Sequence, residues 1–385
     1  MKISKLISRI ALIGGCFVAF FGSLLAQIPQ SEREALISFY NSTNGPSWPE
    51  EYQWDLNKIK SGDISGQFGL QANDNNTHVA IISLSQAGLT GQLPQDLFQK
   101  LPGLIMFNIP YNHIAGNIPQ GLSEATNLRG INLAFNKFTG KLPDFSKLTN
   151  LLVLEISFLD HIEAGQRIPD ISKFKGLLYF GAYGSRLVGE LPENIGDLKN
   201  LRYLDVGNNQ LTGHIPASLN KCTKLCILSV MDNNLSGDLP DLSSLVNLGV
   251  SEEYGMGRLY LSNNHFTGPF PEWIGKLKKL DRLSIRYNEF EGELPEDLSR
   301  MENLKAFYAG GNNFTGKLPK KFGPKIEEID LSWNNLEGSI PTEWGELKNI
   351  WIIKLNHNHL KGHVTDLIYQ TKDKQPKDIF ETMEV

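Results

Sequence analysis

One pattern constrains this chain more than any other: the stretch Leu201–Pro216, LRYLDVGNNQLTGHIP, recurs along most of its length. Aligning the glycine near the end of each copy gives Gly91, Gly116, Gly140, Gly165, Gly189, Gly213, Gly237, Gly268, Gly292, Gly316, Gly338 and Gly362. The spacing is 24 or 25 residues, except for 31 between Gly237 and Gly268 and 22 between Gly316 and Gly338. Ahead of the glycine runs L-x-x-L-x-L-x-x-N-x-[LF], as in Leu280-Leu283-Ile285-Asn288-Phe290. Apolar residues two apart make a short strand with one buried face, and the spaced leucines beyond it turn the chain back. Such a unit cannot bury its apolar edge alone, so the units stack. A repeat array grows in one dimension, so 385 residues form one repeat domain rather than two globular ones. The asparagine slot, occupied for example by Asn112, Asn233 and Asn334, is read as structural, because an amide carries donors and an acceptor for backbone groups at each bend.

The motif LxxLxLxxNxLxGxIP resembles the plant-type class of the leucine-rich-repeat family, seen in receptor-like kinase ectodomains, polygalacturonase-inhibiting proteins and secreted bacterial relatives. The resemblance covers roughly residues 79–364, about a dozen repeats of ~24 residues. It implies an α/β repeat fold: a right-handed curved solenoid with a parallel sheet on its concave face, a helical N-terminal cap and a ligand surface on that sheet. It names no ligand and implies no cofactor.

The ends of the chain read differently. Residues 1–26 carry Lys2, Lys5 and Arg9, no acid, and an apolar run from Ile10 to Leu25, the pattern of a secretory signal peptide. Acylation at Cys16 is the weaker alternative, since apolar residues continue past it. No later apolar stretch is long enough to span a bilayer, so the product is expected to be exported and periplasmic, cell-surface or secreted. Residues 27–78 form a cap in which Ser31 and Glu34 match a capping box and Ala35, Leu36, Phe39 and Tyr40 follow at helical spacing. Trp48 and Trp54 are expected to cover the first repeat rather than stack on a sugar. The cap resembles those of bacterial family members and lacks the paired-cysteine signature of plant ones, which favours a bacterial source. Residues 365–385 are a closing segment and charged tail.

Three places break the rhythm. Leu159 stands in an asparagine slot, Ser185 stands in the next, and the surplus residues Gly249–Gly257 precede the strand with Leu259. Insertions of this kind map to loops, with a binding role and a neutral one both open.

Residues in the same outward slot of neighbouring repeats lie only ~4.8 Å apart, so the sequence folds into a surface map. The early repeats show Tyr111, Phe135 and Phe158 just before the asparagine slot, with Tyr179, Tyr183 and Tyr203 nearby. Later ones show Arg258, Arg282 and Arg286 among Tyr260, Tyr287, Tyr308 and Trp333. Exposed aromatics mixed with arginine are the material of binding hot spots, so Tyr179, Tyr183, Tyr203, Arg258, Tyr260, Arg282, Arg286, Tyr287, Tyr308 and Trp333 are the candidate ligand-binding residues. Arg258 and Arg282 share a slot and need neutralising, by an anionic ligand or by Glu252, Glu253 or Asp232. Asp330 and Lys354 are expected to pair across strands.

Other chemistries fare poorly. Gly311–Leu318 fits a P-loop up to its lysine but has Leu318 where Ser or Thr belongs, and it is also an ordinary repeat turn. His357, His359 and His363 lack a flanking acid or cysteine to complete a metal set. Cys222 fills a leucine position, with Cys226 close enough for a bridge to stay open. Lys+Arg 37 against Asp+Glu 42 gives no basic excess for nucleic acid. The resulting expectation is a non-enzymatic, exported binding module for a protein or peptide, with carbohydrate recognition or a structural, adhesive role as the alternatives.

Overall fold

The computed structural model describes residues 27–249 and 258–362. The expected signal peptide, most of the 249–257 insertion and the tail lie outside the described residues. The described chain falls into two compact units, 27–188 and 189–362.

Unit 1 opens with helix α1, Gln30–Ser42, which buries Ala35, Leu36, Phe39 and Tyr40. The expected capping box does not form. The helix starts ahead of Ser31 with Pro29 at its N-cap, and the Glu34 carboxylate accepts instead from Gln30 Nε2 at 2.9 Å. Proline's fixed φ already suits the approach to a helix, so no hydroxyl is needed there. Glu32, buried on the inner face, ties the helix to the first parallel strand by accepting from Val79 N at 2.7 Å. Trp48 and Trp54 are buried edge-to-face, 5.2 Å apart. Their indole N–H groups donate to Thr43 O at 2.8 Å and Phe68 O at 2.9 Å, so both rings serve as core cover.

Strand β1, Leu70–Ala72, runs antiparallel to β2, Val79–Ser83. The following strands β3 (Met106–Asn108), β4 (Gly130–Asn132), β5 (Val153–Glu155) and β6 (Tyr179–Gly181) are added in parallel. Unit 2 carries β7 (Tyr203–Asp205), β8 (Ile227–Ser229), β9 (Arg258–Tyr260), β10 (Arg282–Ser284), β11 (Ala306–Tyr308), β12 (Glu328–Asp330) and β13 (Ile352–Lys354), all parallel. The column that runs through the register from Ile82 and Phe107 to Ile329 and Ile353 is buried in every parallel strand. Apolar burial of these side chains, at roughly 1.5–3 kcal/mol each, drives the stacking.

The asparagine slots work as expected. Asn288 Nδ2 donates to the carbonyls of Leu261 (3.1 Å), Ile285 (3.2 Å) and Arg286 (3.0 Å), its Oδ1 accepts from Phe266 N, and Asn312 Oδ1 accepts from Phe290 N in the next turn. Where Leu159 interrupts the series, the neighbouring Ser185 hydroxyl substitutes: it donates to Ile156 O at 2.7 Å and accepts from Leu159 N at 3.2 Å. The residue just before the slot is left-handed in every repeat, whether it is Asn208, Asn263 and Gly311 or Tyr111, Phe135, Phe158, Tyr287 and Trp333. Glycine and asparagine tolerate that conformation; an aromatic residue there costs about 1 kcal/mol or more. Backbone geometry therefore does not explain the rings.

Candidate ligand-binding face

The register of unit 2 lines up two outward columns. One reads Arg258, Arg282, Ala306, Glu328 and Ile352; the other reads Tyr260, Ser284, Tyr308, Asp330 and Lys354. The small Ala306 between Arg282 and Glu328 leaves a path across β11. Arg282 Nη2 lies 3.5 Å from Glu328 Oε1, and its Nη1 donates to the Tyr308 hydroxyl at 3.2 Å. That hydroxyl in turn donates to Glu328. Burial, reinforced by the hydrogen bond to Glu328 and its charge, pushes the Tyr308 phenol up to about 12, so the phenol stays protonated as a donor.

Arg286 repeats the device one slot further along. It crosses the side-chain-free Gly310 to pair with the buried Asp330, and its guanidinium lies 4.9 Å from the centre of the Tyr308 ring. Asp330 also accepts from Ser332 N at 3.0 Å and Ser332 Oγ at 2.6 Å. A β-carbon at Gly310 would collide with Asp330 and Ser332. A cleft of about 430 Å³ opens above this pair, lined by Arg286, Tyr287, Asp330, Ser332, Trp333 and Lys354 among others. Its rim rings, Tyr287 and Trp333, are each 55% exposed. Trp333 is stacked on one face by His357, ring centres 3.6 Å apart. This gives flat apolar walls above fixed guanidinium donors, a combination suited to peptide side chains and backbone carbonyls.

Arg258 sits 5.5 Å from the centre of the Tyr260 ring, where burial raises the phenol. Its charge also reaches Asp205, whose carboxyl is raised by burial against hydrogen bonds from Gly207, Ser229 and Tyr203. Tyr203 donates to Asp205 at 3.2 Å. Among the described residues the counter-charge beside Arg282 is Glu328. Glu252 and Glu253 lie outside the described residues, and Asp232 accepts from Asn263 Nδ2. Asp330 finds Arg286, with Lys354 opposite it in register.

Two expected site residues belong to unit 1, and one is misplaced there. Tyr179 is only 1% exposed: its ring folds over the sheet and its hydroxyl donates to the buried Glu155 at 2.6 Å. It is a packing residue, not a contact for ligand. Tyr183 is half-buried, tilted against Phe158 at 5.3 Å. Glu328 and Ser332 were missed by sequence reasoning, and Asp330 was expected to meet Lys354 rather than Arg286. The available signal was a small residue, Ala306 or Gly310, between a basic and an acidic residue in nearby slots.

The remaining motifs resolve into scaffold. Asn312, inside the P-loop-like stretch, donates to Ile285 O and Ala309 O at 3.0 Å. His357 stacks on Trp333, and His363 lies outside the described residues. Cys222 and Cys226 are unbridged. Burial pushes the Cys222 thiol up to about 11, consistent with an apolar packing role.

Comparison with known proteins agrees with this architecture. The Leucine Rich Repeat family model matches residues 200–222, 257–277 and 325–347. Receptor-like protein kinase 7 of Arabidopsis thaliana is 30% identical over 130 residues, 34% of this chain and 13% of that protein. Receptor-like protein 13 of the same plant is 31% identical over 152 residues, 33% of this chain and 14% of that protein. Among solved structures, the Arabidopsis receptor kinase HAESA, in complex with the peptide hormone IDA and the co-receptor SERK1, matches with a TM-score of 0.71 and 27% identity, covering 86% of this chain and 54% of that one. A TDR receptor matches with a TM-score of 0.54 and 26% identity, covering 75% of this chain and 57% of that one.

Stacked parallel strands, an asparagine ladder and outward columns of side chains define a repeat protein of the leucine-rich kind. With its G-x-[IL]-P turns, the chain is similar to plant-type leucine-rich-repeat proteins. It spans only 13% and 14% of the two curated relatives.

Proposed function

We propose that the protein is an exported binding module that recognises a protein or peptide segment on the outward face of β9–β13. The observation that carries this reading is the cleft between Tyr287 and Trp333, floored by the Arg286–Asp330 pair. HAESA, a structural relative, is solved with a peptide hormone, which supports peptide over glycan as the ligand class. The guanidinium groups are already held by Tyr308, Glu328 and Asp330. Little side-chain entropy is then left to lose on binding. We assign no catalytic step to these residues. Residues 1–26 support export, and the cap without paired cysteines supports a bacterial source.

The experiment is a selection of displayed peptides on the full chain, repeated with Tyr287→Asn and Trp333→Asn together. Asparagine already occupies the equivalent left-handed position at Asn208 and Asn263, so the fold should be kept. Loss of the selected peptides by the variant supports the reading. Equal binding by both proteins excludes this face.

A further inference from the structure

Unit 1 carries a second surface that the unit 2 cleft does not explain. Tyr111, Phe135 and Phe158 follow one another in the left-handed slot, at φ of 57°, 55° and 54°. Their rings form a continuous stack: Tyr111 on Phe135 at 4.2 Å and 13°, Phe135 on Phe158 at 4.1 Å and 24°. Tyr183 extends it at 5.3 Å. Tyr111 and Phe158 are nonetheless 51% and 37% exposed. Three consecutive rings thus stand in backbone positions better suited to asparagine or glycine, with Tyr111 and Phe158 open to solvent and Phe135 half-buried between them.

The stack decides what can bind. Both faces of Phe135 are covered by its neighbours, and one face each of Tyr111 and Phe158, so the accessible surface consists mainly of ring edges. Sugars stack on ring faces, and most of those faces are covered here, the outer face of Tyr111 excepted. Ring edges carry the positive part of the aromatic quadrupole and accept aliphatic groups, carbonyls and carboxylates. The flank just after the asparagine slot adds exposed His113, Lys137 and Arg186. Lys137 forms no ion pair among the described residues. The one carboxylate in that row, Asp160, has His161 Nε2 at 3.7 Å.

We infer that the Tyr111–Phe135–Phe158 ridge is a docking surface for a short acidic segment of a partner protein that alternates carboxylate with aliphatic side chains. The ridge with Tyr183 is roughly 14 Å long by its ring spacings. An extended segment of about four to six residues covers that length. This inference is independent of the unit 2 reading, and either can fail alone.

The test uses the full chain and three capped hexapeptides: one rich in Leu and Glu, one in Leu and Lys, and one in Ser and Glu. Binding is read by fluorescence anisotropy for the wild type and for the triple variant Tyr111→Asn, Phe135→Asn, Phe158→Asn, with thermal midpoints measured alongside. The expected result is that the Leu/Glu peptide binds at least about tenfold more tightly than the other two. The triple variant should lose that binding while its midpoint stays or rises, since asparagine suits the slot. Equal binding of the Leu/Lys peptide, no binding of any peptide, or unchanged binding by the variant overturns the inference. So does a clear fall in the variant's midpoint, which would make the ridge structural cover. A neutral glucan oligosaccharide that binds only the wild type would likewise overturn it.

Discussion

The two units carry opposite chemistry in different outward slots: unit 1 in the left-handed slot before the asparagine, unit 2 chiefly in its strand columns. In unit 1 the outward ridge is aromatic and uncharged, Tyr111, Phe135 and Phe158, and its rings stack on one another. In unit 2 the outward columns are charged, and each group holds the next: Arg282 holds Tyr308 and Glu328, and Arg286 holds Asp330. A repeat fixes where side chains stand, not what they owe to the fold. Freestanding rings can be removed at little structural cost, whereas a member of the charged network leaves a buried partner exposed to the low dielectric.

The scaffold beneath both units should respond alike. Asn112→Ala in unit 1 and Asn288→Ala in unit 2 each strand several backbone groups that the amide serves in the folded repeat. Each should lower stability by about 3 kcal/mol or more, measured by urea unfolding. A large difference between the two would mean that the ladder is not shared equally.

Next in size is Arg286→Ala, which leaves Asp330 buried without its cation. A loss of about 2–4 kcal/mol is expected, reduced from the fully buried case because Arg286 is part-exposed. Adding Asp330→Asn should recover most of it, because the Ser332 contacts survive. Phe135→Asn in unit 1 should change stability by less than about 1 kcal/mol, in contrast to Arg286→Ala. Equal losses at the two sites would erase the distinction between freestanding and networked residues.

Two titrations probe the network more finely. Phenol absorbance should show a tyrosine component ionising near pH 12, and that component should shrink in Tyr308→Phe. Asp205, raised by burial, acts in the opposite sense to a paired carboxylate. The unfolded chain releases the Asp205 proton first, at a pKa of about 3.9. Between that value and the higher folded one the native state holds more protons, so this residue's contribution to stability falls as pH rises. Asp205→Asn should remove that decline, giving a small gain near neutral pH in urea unfolding.

Much of this was legible in the chain. The repeat phase put Arg258 and Arg282 in one slot, and the strand register does the same. It placed the asparagines under the bends, and the cap's composition gave Trp48 and Trp54 as cover for the first repeat. What escaped was governed by reach rather than by phase. Arg282 skips Ala306 to meet Glu328 two strands away, a contact that nearest-neighbour slots do not suggest. Tyr179 occupies an outward slot yet folds down onto Glu155, because a slot sets the β-carbon direction and not the ring. The Ser31 capping box failed because the helix began earlier, at Pro29.

The most direct test of this division is a double-mutant cycle on Arg286 and Asp330, run beside the triple asparagine replacement of the unit 1 ridge, with unfolding free energy as the readout. Coupling of about 1–3 kcal/mol in the cycle, with no loss of stability from the triple replacement, is the predicted result. Negligible coupling together with a destabilised ridge variant would contradict it.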